Sequence, residues 1–294
     1  MNRVDAYLIP ALDGVAYGLL LFVVAAGLVL SFGVAGILNL AHGTLYAIGA
    51  YVAATLSDGS WLALLLALVA GVAATTAGGA ALSGMLAPVP RGDHLTQALL
   101  TFGVALAGGS VLVMAFGAEN LPVRVPATVD RPVDLAGHAY AGYRLVFIAV
   151  AAALALALHA VVTRTRAGML VRAALDDPDM VACLGVSPAR VRLGVLAASG
   201  ALAGTAGVLG APIIGPGPGT AATVLLLSLV VVVLGGHSGR SSVAGTLLAA
   251  LAVGEIQTLG VALAPTAAPF LLFAAMAAVL AARSHGLIRR WSPA

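Results

Sequence analysis

Long apolar runs separated by short polar intervals dominate the chain, and they constrain its fold most. Each run has about 20 residues, the length that crosses a bilayer as an α-helix. Asp, Glu, Lys and Arg make up only 9% of the 294 residues, against about 25% in soluble domains. The chain is 61% hydrophobic with a mean hydropathy of +1.09, which is more apolar sequence than one soluble core of this size can bury. The pattern therefore predicts an all-α, polytopic membrane protein.

The runs predict about nine transmembrane spans, because a span with its loop takes roughly 30 residues. They lie at about 14–31, 40–57, 61–87, 95–117, 143–162, 193–213, 220–236, 242–263 and 266–283. The runs are continuous and do not alternate, which excludes an outer-membrane barrel. We expect one transmembrane domain over 1–294. The longest polar intervals, 118–142 and 163–192, are shorter than a typical minimal domain of about 50 residues.

The basic residues predict the orientation of the chain in the membrane. All 14 are Arg, and they are too scattered to form a nucleic-acid-binding stripe. With nine spans, ten lie on the face that holds 163–192 and the C-terminus, and four lie on the other face. The richer face should be cytoplasmic. We therefore expect a multi-pass protein of the cytoplasmic (inner) membrane, with its N-terminus outside and its C-terminus in the cytoplasm.

Two further features limit the class of protein. The single Cys183 excludes an intrachain disulfide and a Cys-based metal cluster, and we expect neither a metal nor a cofactor in this chain. Residues 1–14 contain one Arg followed by two Asp, which is a poor signal peptide, so the first span should be retained.

A Gly-rich break follows the first span, GVAGILNLAHG at 33–43. Irregular backbone at membrane depth is tolerated only where protein or a water-filled cavity covers it, and interrupted helices often line transport sites. Asn39 and His42 are therefore candidate pathway residues. Capping or bridging of helices explains them equally well. A second interrupted stretch, 204–219, contains three prolines and is a looser counterpart.

Glu255 and Gln97 are further candidates for the pathway. Glu255 is the only carboxylate well inside a predicted span, and a lone acid there must face protein or water. It belongs to a solute pathway, or it makes a helix–helix hydrogen bond in its protonated form. Gln97 and Thr101 near the start of the fourth span are explained by packing or capping at least as well as by solute contact.

The polar interval 163–192 has the pattern of a docking element. Residues 164–175 can form a helix that Pro178 bends or restarts, and a short helix can follow and end at Gly185. The positive-inside rule explains the Arg residues, but not Asp176 and Asp177. A solvated loop is the simpler alternative.

Four blocks of sequence carry a family resemblance. They are GVAGILNLAHGTLYAIGAY at Gly33–Tyr51, LTQALLTFG at Leu95–Gly103, TRTRAGMLVRAALDDPDMVACLGV at Thr163–Val186 and VVVVLGGHSGRSSVAGTLLAALAVGEI at Val230–Ile256. Together they cover about 14–260. The chain resembles the permease subunits of high-affinity branched-chain amino acid ABC importers, of the LivH type, and their urea and amide relatives.

The resemblance implies a transport subunit that is not itself an enzyme. Its partners would be a second homologous permease subunit, two cytoplasmic ATPase subunits and an extracytoplasmic solute-binding protein. The segment 163–192 would be the ATPase-coupling loop, with Arg172, Asp176, Asp177 and Gly185 as its coupling residues. The solute would be a branched-chain or other small neutral or zwitterionic amino acid, with urea or a short amide as the alternative.

Two motifs depart from the family pattern. The coupling signature of ABC importers begins Glu-Ala-Ala, whereas Arg172 stands first here. The late motif Gly-Gly-x-Gly-Ser is replaced by GGHSGR at 235–240, which puts the geometry of that loop in doubt.

An intramembrane protease and a self-sufficient transporter are the two alternatives to an importer subunit. Ser238 lies in a G-x-S-G pattern like that of intramembrane serine proteases, but such a Ser needs a His base. The only later His is His285, beyond the last span. A self-sufficient secondary transporter or channel would use the same broken helices and Glu255 as an ion site. Dependence on ATPase subunits distinguishes it from an importer.

Overall fold

A computed structural model describes residues 5–90, 92–135, 138–235 and 243–284, and these residues are mostly helical. The helices are α1 (Asp5–Ala35), α2 (His42–Leu56), α3 (Trp61–Met85), α4 (His94–Phe116), α5 (Gly142–Arg164), α6 (Arg166–Asp176), α7 (Pro178–Cys183), α8 (Pro188–Gly210), α9 (Thr220–Gly235), α10 (Val243–Leu263) and α11 (Ala268–Ser284). The predicted helical class is confirmed.

Each of the nine predicted apolar runs coincides with one helix, but the number of crossings is not confirmed. Within the described ranges, six helices are long and apolar enough to span a membrane, namely α1, α3, α4, α5, α8 and α10. Helix α9 is a shorter apolar helix of 16 residues. Helices α2 and α11 have 15 and 17 residues, so they are shorter than a typical full span.

Helix α8 lies at the centre of the fold, packed against α1, α2 and α3. A Cβ added at Gly200 would overlap the carbonyl oxygen of Thr75 in α3, and one at Gly207 would overlap the carbonyl oxygen of Tyr46 in α2. The glycines therefore let backbone meet backbone. In lipid the hydrophobic effect does not drive helices together, and van der Waals contact between closely packed backbones stabilises their association instead.

Helices α1 and α10 form a second close crossing through glycines of both helices. A Cβ at Gly18 would lie 2.8 Å from the Cα of Leu251, and one at Gly254 would overlap the backbone of Gly14. The spacing Gly14-x-x-x-Gly18 places both small residues on one face of α1. This crossing fixes where the side chain of Glu255 lies.

The interval 118–142, expected to be a loop, contains a short antiparallel hairpin, β1 (Pro132–Leu135) and β2 (His138–Ala141). The helical class holds, but the expectation of a loop without strands is wrong at this point. Alternation in four-residue strands is too short to detect in the sequence.

The hairpin segment joins the loops at one end of the bundle, which we call the hairpin end. Asp58 forms a β-bridge with Arg124, Trp61 Nε1 donates to Thr128 Oγ1 over 2.9 Å, and the Leu121 amide donates to the Pro216 carbonyl over 2.9 Å. The α2–α3 loop, the segment 117–141 and the stretch 211–219 therefore lie together.

A polar cluster ties the hairpin to α1 and α5. Tyr140 Oη donates to Asp13 Oδ1 over 2.9 Å, and Arg144 forms an ion pair with the same oxygen. Burial, with the Asp13 carboxylate as a second cause, raises the pKa of Tyr140 to about 12. The phenol therefore stays protonated at neutral pH and remains a hydrogen-bond donor.

Candidate solute pathway and coupling loop

The predicted break after the first span is present and comprises residues 36–41 between α1 and α2. Helix α1 ends at Ala35, and the next residue, Gly36, has a φ of +67°, which suits glycine. The amide of Gly36 donates to the Phe32 carbonyl over 3.1 Å, and that of Ile37 donates to the Ser31 carbonyl over 3.2 Å. These bonds satisfy backbone groups at the end of the helix.

His42 bridges three helices at the start of α2. Its Nε2 lies 2.9 Å from the Val24 carbonyl of α1, and its Nδ1 lies 3.2 Å from Ser199 Oγ of α8. A carbonyl only accepts, so Nε2 carries the proton and Nδ1 accepts from the Ser199 hydroxyl in the neutral ring. The imidazole is fully buried, and both its nitrogens have protein partners.

This pairing places the start of α2 well inside the bundle. Val24 precedes the end of α1 at Ala35 by eleven residues, which is about 16 Å of helix. The segment 36–41 therefore runs back along α1 before α2 begins. The second predicted interruption is shorter than expected, because α8 continues to Gly210 and only 211–219 is non-helical.

Thr101 of α4 holds the broken segment in place. Its Oγ1 lies 3.1 Å from the Leu38 carbonyl, and it accepts from the Leu40 amide over 3.2 Å. The Thr101 side chain is fully buried. Leaving a buried backbone group without a hydrogen bond costs about 1–3 kcal/mol of stability. By pairing with two such groups, the Thr101 hydroxyl stabilises the non-helical segment between α1 and α2.

Asn39 and Gln97 lie on either side of Thr101, and each has one unpaired polar atom. Asn39 Oδ1 accepts from the Ala41 amide over 3.1 Å, while its Nδ2 has no partner. Gln97 Nε2 donates to the Pro90 carbonyl over 3.3 Å, while its Oε1 has no partner. Asn39 is 0% exposed and Gln97 is 7% exposed.

Glu255 is not part of this group. Its carboxylate lies against Gly14, where an added Cβ would be 2.6 Å from Oε2, and Oε2 is buried without a partner. His42 packs against Gly27, thirteen residues further along α1, which is about 20 Å. The structure therefore brings Asn39, His42 and Gln97 together and leaves Glu255 apart, towards the hairpin end.

The interval 163–192 contains the two predicted helices, α6 and α7, and α8 begins earlier than expected, at Pro188. Asp177 Oδ1 accepts from the Met180 amide over 2.9 Å and so caps α7. Helix α7 ends at Cys183, two residues before the predicted end at Gly185. Gly185 has a φ of +84°, and the next amide, that of Val186, donates back to the Val181 carbonyl, as at many helix C-termini.

The remaining coupling candidates are placed as follows. Arg172 is exposed, and its guanidinium donates to the Val162 carbonyl at the end of α5. Asp176 is the last residue of α6. The late motif at 236–240, with Ser238 and Arg240, and His285 lie outside the described residues.

Sequence reasoning undervalued Thr101 and did not identify Ser199 or the Asp13–Arg144 pair. A Thr or Ser in an apolar helix usually bonds to its own helix, and nothing local distinguishes a residue that also bonds across. Asp13 and Arg144 are 131 residues apart. Two opposite charges at the predicted ends of neighbouring spans were the only signal available.

The long apolar helices describe a class of protein, an integral membrane protein. Comparison with known proteins gives the family. Residues 11–281 match the family described as the branched-chain amino acid transport system permease component, and the chain belongs to this family. It is therefore a transport subunit and not an enzyme.

One curated relative illustrates the match. The high-affinity branched-chain amino acid transport system permease protein BraD of Pseudomonas aeruginosa is 24% identical over 275 residues, which cover 88% of each protein. No solved structure matches the chain. The resemblance inferred from the four sequence blocks is confirmed.

Proposed function

We propose that the chain is the transmembrane subunit of an ATP-driven importer for branched-chain or other small neutral or zwitterionic amino acids. The observation that carries the proposal is the family match over residues 11–281. The relative BraD is named for high-affinity branched-chain amino acid transport. Neutral urea and short amides are the alternative solutes.

The buried polar groups at the break support a solute without net charge. Asn39, His42, Gln97, Thr101 and Ser199 are all buried, and none of them has a permanently charged side chain. A phosphate pathway is expected to present Arg or Lys, and a metal-cation pathway to present carboxylates. Neither type of residue is among these five.

We propose nine crossings, with the hairpin end outside the cell and the α5–α8 connection in the cytoplasm. Arg192 Nε lies 3.4 Å from Ser83 Oγ near the end of α3, so this connection lies at the opposite end from the hairpin. Five Arg residues lie in this connection or in the adjoining ends of α5 and α8, namely Arg164, Arg166, Arg172, Arg190 and Arg192. The positive-inside rule places them in the cytoplasm.

The partners we propose are a second permease subunit, two cytoplasmic ATPase subunits and an extracytoplasmic solute-binding protein. Helices α6 and α7 and the residue after α7 present exposed apolar side chains beside their charges, with Met169 58%, Met180 51% and Leu184 75% exposed. A cytoplasmic protein surface would bury these side chains. The coupling residues would be Arg172, Asp176, Asp177 and Gly185.

Dependence on ATP tests the proposal against a secondary transporter. We expect the complete transporter in proteoliposomes, supplied with binding protein, to take up labelled leucine only when ATP is enclosed. Dissipating the proton and sodium gradients should leave this uptake unchanged. Uptake that needs a gradient and proceeds without ATP would contradict the importer and favour the secondary transporter.

A further inference from the structure

Two buried amide side chains at the break each have an unused hydrogen-bonding atom. The Ala41 amide must bond to the oxygen of Asn39, and the Pro90 carbonyl must bond to the nitrogen of Gln97. These partners fix the orientation of both amides. The unpaired atoms are therefore a donor, Asn39 Nδ2, and an acceptor, Gln97 Oε1.

The two side chains extend from backbone segments that meet at one hydroxyl. Thr101 Oγ1 contacts the carbonyl before Asn39 and the amide after it, at 3.1 and 3.2 Å. The same oxygen lies 3.0 Å from the backbone carbonyl of Gln97. The backbone segments that carry the unpaired donor and the unpaired acceptor therefore meet at Thr101.

Buried polar groups are normally paired, and an unpaired donor and an unpaired acceptor on adjoining segments suit a ligand that supplies the complement of each. A zwitterionic amino acid carries a carboxylate that accepts and an ammonium group that donates. These groups are common to all α-amino acids, whatever the side chain.

We propose that Asn39 and Gln97 form a binding site for the main-chain groups of the solute. Asn39 Nδ2 donates to the α-carboxylate, and Gln97 Oε1 accepts from the α-ammonium group. This inference rests on the proposed transport of amino acids, and it assigns no contact to the solute side chain. His42, whose nitrogens are paired, and the distant Glu255 lie outside the site.

Asn39 and Gln97 are both buried in this structure, so the solute reaches them only if a neighbouring helix moves, and α4 is the most exposed of the long apolar helices. Helix α4 packs chiefly on α2, and its other side is exposed, with Leu95 71% and Met114 83% exposed. Apart from Thr101, Thr44 Oγ1 donates across to the Ala105 carbonyl over 3.3 Å. Movement of α4 away from α2 separates Gln97 from the segment 36–41 and admits the solute between them.

Charge substitutions at the two positions should have opposite effects. Asn39→Asp keeps the oxygen that caps Ala41, since Asp is as good a cap as Asn, but replaces the donor with an oxygen that repels a carboxylate. Gln97→Glu keeps an acceptor for the ammonium group, whereas Gln97→Met removes it. Both changes at Gln97 remove the bond to Pro90.

The experiment measures maximal leucine uptake at pH 7.5 by the complete transporter with saturating binding protein. We expect Asn39→Asp and Gln97→Met to lower it at least tenfold and Gln97→Glu to keep at least half of it. A carboxylate buried at position 39 can itself lower stability, so uptake is compared per amount of folded chain recovered by size-exclusion chromatography. Asn120→Asp, the same change at an exposed residue of the hairpin end, should transport normally.

A purely structural role predicts the reverse pattern. Folded Asn39→Asp chain would then transport normally, because the cap on the Ala41 amide is intact, and Gln97→Glu would fail together with Gln97→Met. Either result overturns the site. Absence of leucine uptake by the wild-type transporter is a different failure, because it refutes the proposed function itself.

Discussion

Replacing Gly200 with Leu should abolish the fold. A Cβ at this position overlaps the carbonyl oxygen of Thr75 and lies 3.0 Å from its carbonyl carbon. Neither atom can move unless α3 moves away from α8. The contact between these two helices is the most extensive helix contact in the part of the chain that the structure describes. Overpacking a protein interior costs about 1–3 kcal/mol of folding stability where neighbouring side chains can change rotamer. The neighbour here is backbone, which has no alternative rotamer, so the cost should be larger. We expect no monodisperse protein on size-exclusion chromatography.

Gly194 provides a matched control in the same helix. It is exposed, and a Cβ there meets nothing within 4 Å. Gly194→Leu should therefore fold normally and gain up to about 1 kcal/mol of helix propensity. If Gly200→Leu matched Gly194→Leu in yield and Tm, the central packing of α8 on α3 would be wrong.

Changing the coupling loop should stop transport without unfolding the protein. In one variant Asp176 and Asp177 both become Ala, which removes the cap on the Met180 amide. In the other, Gly185→Val places a β-branched residue at a φ of +84°, which such residues rarely adopt. We expect leucine uptake and solute-stimulated ATP hydrolysis to fall at least tenfold in both variants, with unchanged amounts of chain in the membrane.

The control for the acidic pair is Asp130→Ala, which removes an exposed carboxylate at the hairpin end and should transport normally. Wild-type rates in both loop variants would show that α6 and α7 do not couple the chain to an ATPase.

The sequence predicted the helices well because apolar runs, prolines and glycines act locally. The break at 36–41 follows from glycines that end α1 and from an Asn that starts the next turn, and both signals are short-range. The end of α7 just before Gly185 follows from the same preference for glycine after a helix C-terminus. The family blocks added the transport function.

The sequence could not show how the polar residues are distributed in space. Asn39, His42, Gln97 and Glu255 had the same apolar context, but antiparallel packing of α10 on α1 places Glu255 against Gly14. The role of Thr101 depends on backbone atoms more than 60 residues away. The hairpin at 132–141 is held by Tyr140 and Asp13, which are 127 residues apart.

Competition for uptake tests the central claim most directly. The complete transporter in proteoliposomes takes up labelled leucine with enclosed ATP, in the presence of excess unlabelled isoleucine, urea, phosphate or spermidine. Transport of small neutral or zwitterionic amino acids predicts strong inhibition by isoleucine and none by phosphate or spermidine, and inhibition by urea alone would indicate the amide branch of the family. Inhibition by phosphate or spermidine, with none by isoleucine or urea, would contradict the account.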